Sequence, residues 1–355
     1  MVTKVVTREK LAKNKAKKYK SIFKEDGERR TFEDIGFSTQ TVIGYSNLEI
    51  VLENFFKYMP ITDYEPIEKK RGRRRRIQIP VPIQIMPFGS IICVQHRKDI
   101  RGKLPKKKSI KKKETFFLHC ITFVIFLDNN KHINVKVYRN GNFQLTGCKS
   151  EEHYIQAIVS VYQTMCEVEK WTGEKLFHFV PELANNNNLT VVFKTVMQNN
   201  YFSIGFCIYR HKLDYFINKY TNFCSIFEGS ISTGVNIKVK FKNDMDTEFL
   251  RITYDSTSKE VDVDYANQEE YINFLGDKFK KKPTKKAKHH TFLVFSSGNI
   301  IMSSRGMDMK NVFEEMIETL TQNREHFEDQ NASFELIQQE SQSKPRKRME
   351  FVIED

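Results

Sequence analysis

Two stretches of the sequence, Val137–Thr146 (VYRNGNFQLT) and Val294–Ser303 (VFSSGNIIMS), align with each other without a gap. Asn140-Gly141 in the first stretch is a strong signal for a two-residue β-turn, and Gly298 stands at the same place in the second. Both stretches are therefore predicted to be β-hairpins. Each is followed by a segment whose apolar residues repeat every three to four positions, which predicts a helix after each hairpin. We interpret the pair as an internal repeat.

The same order of predicted elements surrounds both hairpins: a strand, a helix, several antiparallel strands and a second helix. A helix is predicted to open at Ser46, whose spacing to Glu49 fits a capping box, and to end at Pro60. The other predicted elements of the first half are strands at Ile77–Ile85, Gly89–Gln95, Phe116–Leu127, His132–Tyr138 and Phe143–Gly147, and a helix from Ser150. Those of the second half are strands at Thr190–Ile208, Val235–Phe241, Phe249–Tyr254, Thr291–Phe295 and Asn299–Ser303, with helices at His211–Tyr220 and Val312–Leu320.

This order divides the chain into two repeats with insertions and tails. Residues 1–30 are predicted to be a basic flexible tail, and residues 326–355 a polar C-terminal tail. Residues 31–175 form the first predicted repeat, with a basic insertion at about 64–115. Residues 176–325 form the second, with an insertion at about 243–290.

Composition excludes several classes of protein. The chain has 355 residues, of which 39% are hydrophobic, which is ordinary for a globular protein. No apolar run is long enough to cross a membrane, and the N-terminus lacks the apolar segment of a secretory signal. The six cysteines are scattered without a C-x-x-C pair, which argues against a zinc ribbon or a disulfide framework and favours a reducing compartment.

The positive charge is concentrated in short runs. The net charge is +14, and residues 69–76 carry seven Lys or Arg, residues 97–113 ten, and residues 278–288 seven. Runs of this kind favour a polyanionic partner, because each phosphate they neutralise releases counterions. They also fit nuclear-import signals, and composition does not choose between the two.

No motif of an enzyme is present. The nine histidines form no HExxH or other metal-ligand spacing, and the sequence has no phosphate-binding loop or nucleophile elbow. Asp262 and Asp264 alternate along a predicted strand, which is typical of its solvent-facing side. We therefore expect a protein that is not an enzyme, with no cofactor, no metal and no small-molecule substrate.

At three places the sequence resembles the TATA-box-binding protein family. Phe295-Ser296-Ser297-Gly298 matches the family's second-repeat hairpin, and Thr146–Glu152 (TGCKSEE) matches the segment that opens the second helix of its first repeat. Gln198-Asn199 is similar to a Gln-Asn pair on the first strand of its second repeat. The resemblance implies an α+β fold, a pseudo-two-fold saddle of two repeats. Each repeat is a curved antiparallel β-sheet backed by two helices.

The family also implies a function. It implies a transcription initiation factor that binds the DNA minor groove through the concave sheet and recruits other initiation factors through its helices. The expected partners are double-stranded DNA from an A·T-rich promoter and general transcription factors or the RNA polymerase complex, with no membrane. The alternative is a saddle-fold scaffold, or a basic nucleic-acid-binding protein of a virion or transcription complex, without TATA specificity.

The long insertions and the Lys/Asn/Ile/Phe-rich composition resemble a version from a large DNA virus or from a divergent eukaryote with an AT-rich genome. Its expected location is the nucleus or a cytoplasmic viral factory of a host cell, or the virion.

Alternation along each hairpin selects the residues for this role. Phe295 and Tyr138 stand where the family places its hairpin wedge residues, and Asn199 where it places a groove-reading amide. The resemblance further assigns hydroxyl contacts to Thr146 and Ser303 and apolar contacts to Leu293 and Ile301. Lys136 and Gln144 share the DNA-facing side of the first hairpin. The expected phosphate contacts in the basic runs are Arg73, Arg74, Arg75, Arg76, Lys281 and Lys282.

The first repeat departs from the family pattern. Counting back from Gly44 to the family's first-repeat Asn lands near Gly36, so that donor is predicted to be missing. Lys136 and Gln144 stand where the family is usually apolar. The Phe on the preceding strand that completes each wedge pair is not identified by the sequence; the candidates are Phe116, Phe117, Phe123 and Phe249.

Overall fold

The computed structural model describes residues 19–24, 26–65, 84–105, 118–183, 188–230, 234–241, 248–276, 289–305 and 308–332. Within these ranges the fold is a mixed α+β structure dominated by one large, mostly antiparallel sheet. The α+β class predicted from the sequence is confirmed at this level.

The elements of the first part of the chain end with a long helix. They are β1 (Lys20–Ser21), α1 (Phe32–Ile35), β2 (Thr39–Ser46), β3 (Leu48–Ile50), α2 (Leu52–Tyr58), β4 (Ile91–His96), β5 (Asp99–Gly102), β6 (Cys120–Leu127), β7 (Lys131–Tyr138), β8 (Asn142–Cys148) and α3 (Glu151–Thr172). Acidic Glu151 and Glu152 in the first turn of α3 complement the helix dipole, and Gly173 ends the helix in the left-handed conformation.

The elements of the second part follow a similar course. They are β9 (Phe177–Phe179), β10 (Leu189–Ser203), α4 (Arg210–Tyr220), β11 (Cys224–Ile226), β12 (Gly234–Lys240), β13 (Glu248–Tyr254), β14 (Val261–Asn267), α5 (Gln268–Leu275), β15 (His289–Phe295), β16 (Asn299–Ser304) and α6 (Met309–Gln322).

Strands β10 and β2 lie next to each other in the middle of the large sheet. The order along the sheet is β11-β12-β15-β16-β10-β2-β8-β7-β6-β4-β5. On each side of the β10–β2 pair, the neighbouring strands are therefore the second and then the first strand of a hairpin. We refer to β10, β16, β15, β12 and β11 as the second half of the sheet, and to β2, β8, β7, β6, β4 and β5 as the first half.

Each half of the sheet has its own hydrophobic core. In the first half, α2 and α3 pack on one side of the sheet, where Phe55, Ile158 and Leu145 belong to the same buried cluster. In the second half, α4 and α6 pack on residues such as Phe292 and Ile300. The helices of both halves thus cover one side of the sheet, and we call the other side the open face.

The glycine of each predicted hairpin makes the same contact. Gly141 has φ +76° and Gly298 has φ +73°, a backbone region that residues with a Cβ rarely adopt. A Cβ on Gly141 would lie 1.9 Å from the carbonyl oxygen of Leu48, and one on Gly298 would lie 2.0 Å from that of Phe206. Each hairpin therefore docks closely on the chain that follows the first strand of its half. The two hairpins predicted from the sequence are confirmed.

The first predicted helix starts later than the capping-box pattern indicates. Ser46 lies in β2, where its hydroxyl donates to the carbonyl oxygen of Gly141 (2.7 Å) and accepts from the backbone N–H of Leu48 (3.2 Å). A short strand, β3, intervenes before α2, which begins at Leu52. The prediction of a helix opening at Ser46 is wrong because this serine ties the β2 end to the hairpin turn.

Both predicted tails contain residues of the folded core. Lys20 and Ser21 form a strand alongside β10, and Ile22 is completely buried in the core of the second half. At the other end, Phe327 is completely buried and accepts a hydrogen bond from the backbone N–H of Tyr209 (2.8 Å). The described part of the predicted tails, residues 19–24, 26–30 and 326–332, is thus built into the second half.

The predicted insertions also contain ordered strands. The basic insertion at about 64–115 includes β4 and β5, which extend the first half of the sheet. The insertion at about 243–290 includes β13, β14 and α5; β13 pairs with the N-terminal part of β10.

His290 in β15 gives a prediction for the pH dependence of stability. Its ring is completely buried beside Phe241, shares a hydrogen bond with Ser304 through Nδ1, and has Nε2 3.8 Å from an oxygen of Asp308. Burial lowers its pKa, an effect that nearby His289 adds to and Asp308 opposes. Below the ordinary His pKa of about 6.5, this histidine is therefore protonated in the unfolded chain but stays neutral in the folded protein. The contribution of His290 to the free energy of unfolding is complete above that pH and decreases as the pH falls.

We expect a His290→Asn variant to lose part of this pH dependence. The unfolding free energy, measured by urea titration from about pH 7.5 to about pH 5, is expected to fall less steeply in the variant than in the wild type. His153, whose pKa is also lowered by burial, is present in both proteins and cancels from the comparison. Equal slopes would contradict the prediction.

Candidate nucleic-acid interface

The open face of the second half carries the predicted residues of the second hairpin. Phe292, Val294, Ile300 and Met302 are completely buried under the helices. The alternating positions Leu293, Phe295, Ile301 and Ser303 are half-buried on the open face. The two-sided division predicted for this hairpin is therefore confirmed, whereas binding of DNA by these residues stays a prediction.

Strand pairing brings the predicted amide and hydroxyl groups together. Asn199 lies opposite Ser303 on β16 and opposite Thr39 on β2. The Ser303 hydroxyl donates to Asn199 Oδ1 (2.7 Å), and Asn199 Nδ2 donates to the Thr39 hydroxyl (3.3 Å). These contacts fix the amide orientation. Because an amide nitrogen has two N–H groups, a second donor is left for a ligand on the open face.

An apolar strip crosses the open face beside this polar group. Ile301 lies opposite Leu293 on one side and Tyr201 on the other. Farther out, Ile226 of β11 is 54% exposed. Tyr19 packs on Tyr201 with ring centroids 5.6 Å apart, so its ring borders the strip.

The charge on this part of the sheet is positive. Lys238 lies on the open face, where it is paired with Thr291 and Cys224 on the neighbouring strands. Along the described residues of β10, β11, β12, β15 and β16, no Asp or Glu is present. The second half therefore combines apolar, hydroxyl and amide groups with lysine and without a carboxylate.

The first hairpin places its predicted residues on the same side of the sheet. Lys136 and Gln144 are paired and half-buried, and Thr146 is exposed. The Tyr138 hydroxyl donates to Gln144 Oε1 (3.3 Å). Burial raises the pKa of Tyr138, with the nearby Cys120 thiol adding to the effect, which keeps the hydroxyl protonated as a donor.

The first half lacks the amide found in the second. The residue opposite Thr146 on β2 is Thr41, whereas the residue opposite Ser303 on β10 is Asn199. At this one position the first half therefore has a threonine where the second half has an amide, and the missing donor of the family pattern stays a prediction. Gly36, near which counting back from Gly44 places the family's Asn, ends α1 and lies before β2.

Of the candidates for a second wedge residue, the two that the structure describes are not available on the open face. Phe123 is completely buried under the helices of the first half. Phe249 is buried against Tyr271, with stacked rings 4.0 Å apart. Phe116 and Phe117 lie outside the described residues, as do the expected phosphate contacts Arg73, Arg74, Arg75, Arg76, Lys281 and Lys282.

Several open-face residues were not predicted from the sequence. Tyr201 lies two residues beyond Asn199 on the same strand, so alternation alone could have found it. Thr39 and Ile226 join the face only through pairing between distant strands. No local pattern indicates those partners.

Within the described ranges, His, Cys, Asp and Glu side chains form no group of three that could hold a metal ion. Among the helices in the described part of the chain, none is long and apolar enough to cross a membrane.

Comparison with known proteins gives one viral relative. No known family model matches the chain. Over 221 residues it is 31% identical to uncharacterized protein 335L of Invertebrate iridescent virus 6, a match that covers 58% of this chain and 61% of that protein. The match thus covers less than two thirds of the relative's own length. Of the two sources that fit the composition, the match favours the viral one.

Among solved structures, Methanococcus jannaschii TBP matches 81% of this chain and 98% of its own, with 13% sequence identity and a TM-score of 0.37.

Proposed function

We propose that this protein is a two-repeat saddle that binds duplex DNA in the minor groove through its open face and acts as a transcription initiation factor without catalysing a reaction. The observation that carries this proposal is the open face of the second half. It joins an oriented amide, two hydroxyls and an apolar strip to a positive charge, and carries no carboxylate in the described strands.

The chemistry of this surface fits the minor groove. A·T pairs present only acceptors there, so the amide N–H of Asn199 can donate to them. The apolar strip of Leu293 and Ile301 can contact the groove walls. An aromatic side chain at the groove can enter a base step and kink the duplex, most easily at a flexible TA step, and Phe295 is the candidate.

The two-repeat interpretation is supported by matching details in the halves. Each half begins with a central strand, continues through a helix, and returns to that strand by a hairpin followed by a second helix. The glycines of the two hairpins, Gly141 and Gly298, have similar φ angles and the same close approach to a backbone carbonyl.

The test compares two short duplexes, one A·T-rich with a central TA step and one G·C-rich. We expect tighter binding to the A·T-rich duplex. Replacing Phe295 with Ala is expected to weaken that binding about tenfold and reduce the preference, because the base step loses its wedge. Tyr215→Ala, on the helix side of the second half and 58% exposed, is the matched control and should change neither affinity.

Binding to both duplexes with equal affinity, unaffected by Phe295→Ala and lost with added salt, would contradict the proposal. It would favour the second candidate function, a scaffold whose basic segments hold nucleic acid. That candidate is supported by aromatic side chains exposed on the helix side, namely Trp171 of α3 and Tyr215 and Tyr220 of α4.

A further inference from the structure

The insertion that contains β13, β14 and α5 covers part of the open face. Tyr271 of α5 stacks on Phe249 and meets the ring of Tyr45 edge-on, with centroids 5.7 Å apart. The ammonium group of Lys194 lies 5.0 Å from the Phe249 ring and 5.2 Å from that of Tyr271. Tyr45 and Lys194 belong to the central strands β2 and β10, so α5 lies over the middle of the sheet, next to the first hairpin.

A second cover lies over the outer strands of the first half. Phe126 and Val124 of β6 are buried in a cluster with Met86, against which Tyr64 and Leu104 pack. Phe126 is only 3% exposed, whereas Ile226 on the outermost strand of the second half is 54% exposed. The first insertion thus closes a region that the second half leaves open.

The cover over the middle of the sheet is also negatively charged. Asp264 and Asp262 of β14 lie opposite Arg251 and Thr253, on the same side of the sheet as Phe249. The Arg251 guanidinium binds Asp264 through two nitrogens, which lowers the pKa of that carboxyl, and lies 3.9 Å from Glu270. Three carboxylates against the Arg251 guanidinium and the Lys194 ammonium still leave a net negative group, which repels phosphate.

We propose that DNA lies on the second half of the open face alone, because one insertion covers the outer strands of the first half and the other covers the middle of the sheet beside the first hairpin. This inference rests on the proposed function and sets the length of its binding site. The second half has five strands spaced about 4.8 Å apart, which corresponds to roughly six base pairs of duplex. A duplex along the whole eleven-strand path would cover roughly fourteen.

The hairpins offer a matched pair of residues for the test. Asn142 and Asn299 occupy the same position in the gapless alignment, and each is the first residue of the second hairpin strand. Asn→Asp keeps the shape of the side chain and adds a negative charge. We expect Asn299→Asp to weaken binding to the A·T-rich duplex at least tenfold, and Asn142→Asp to change it less than twofold.

A second variant in the first half is needed in case Asn142→Asp does not fold. The Oδ1 atom of Asn142 is buried, so a carboxylate there can destabilise the protein. Gln95→Glu adds the same charge on the open face of β4, where Gln95 is half-buried opposite Thr122. Thermal unfolding of each full-length variant shows whether it is folded. The affinities of the folded variants for the A·T-rich duplex are then compared. Gln95→Glu is also expected to change affinity less than twofold.

The outcomes separate this inference from the proposed function. A loss of affinity confined to Asn299→Asp supports the inference. Equal losses in Asn299→Asp and the folded first-half variants would overturn it and leave DNA binding by the open face intact. If none of the variants changes the affinity, the open face is not the DNA site, and both the inference and the proposed function are wrong.

Discussion

Replacing Gly298 with Ala is expected to destabilise the protein by at least about 3 kcal/mol. A left-handed backbone costs about 1–2 kcal/mol for a residue with a Cβ. In addition, the new Cβ would lie 2.0 Å from the carbonyl oxygen of Phe206, so the hairpin must move away from its support. That support includes hydrogen bonds from Ile204 N–H to the Gly298 carbonyl (3.0 Å) and from Ile208 N–H to the Ser296 carbonyl (2.8 Å).

The matched control is Gly147→Ala, which separates the two costs. Gly147 also has a positive φ, +99°, but a Cβ there would meet no atom within 4 Å. It is expected to show the backbone cost alone, about 1–2 kcal/mol. Unfolding in urea measures both variants against the wild type. If Gly298→Ala and Gly147→Ala lower the free energy of unfolding by the same amount, the close approach of the hairpin to Phe206 is not a feature of the folded protein.

Replacing Ile22 with Ala is expected to lower the free energy of unfolding by about 2–4 kcal/mol, although the sequence around Ile22 predicts a basic tail. Ile22 is 0% exposed and belongs to the same cluster as Phe202 and Phe313. Truncation removes buried apolar surface and leaves a cavity that the packed neighbours fill only in part. The loss is measured by urea unfolding of the full-length protein.

The neighbouring residue Phe23 provides the control, because its side chain is larger but 39% exposed. Phe23→Ala is expected to cost less than Ile22→Ala, in spite of removing more atoms. The reverse order, or no effect from either variant, would show that this segment does not pack on the second half.

The sequence predicts best those elements whose signals are local. The two hairpins, α3 and α4 follow from a turn pair and from apolar periodicity, and they form where these patterns place them. The division of the second hairpin into two sides follows from strand alternation for the same reason. These patterns act over a few residues and are satisfied by the nearest neighbours along the chain.

Features that depend on distant contacts were missed. No pattern around Tyr271 or Phe249 indicates that these rings pack over Tyr45, more than two hundred residues earlier. The carboxylates of β14 lie on its solvent-facing side as alternation indicates, with Asp262 exposed, but no local pattern indicates that Asp264 pairs with Arg251 on the next strand. Strand partners and the side that an insertion covers are decided by the competition among all apolar surfaces of the chain, which a local pattern does not contain.

The segment before β2 has a consequence for the order in which the protein folds. Arg29 pairs with Glu314, and Phe32 packs on Phe313 with ring centroids 5.4 Å apart. These residues are synthesised before the strands of the first half, while their partners on α6 are synthesised after them. The second half must therefore assemble from both ends of the described chain, with the first half able to form in between. Because long loops must close before such contacts form, we expect the second half to complete its core last and to govern the refolding rate.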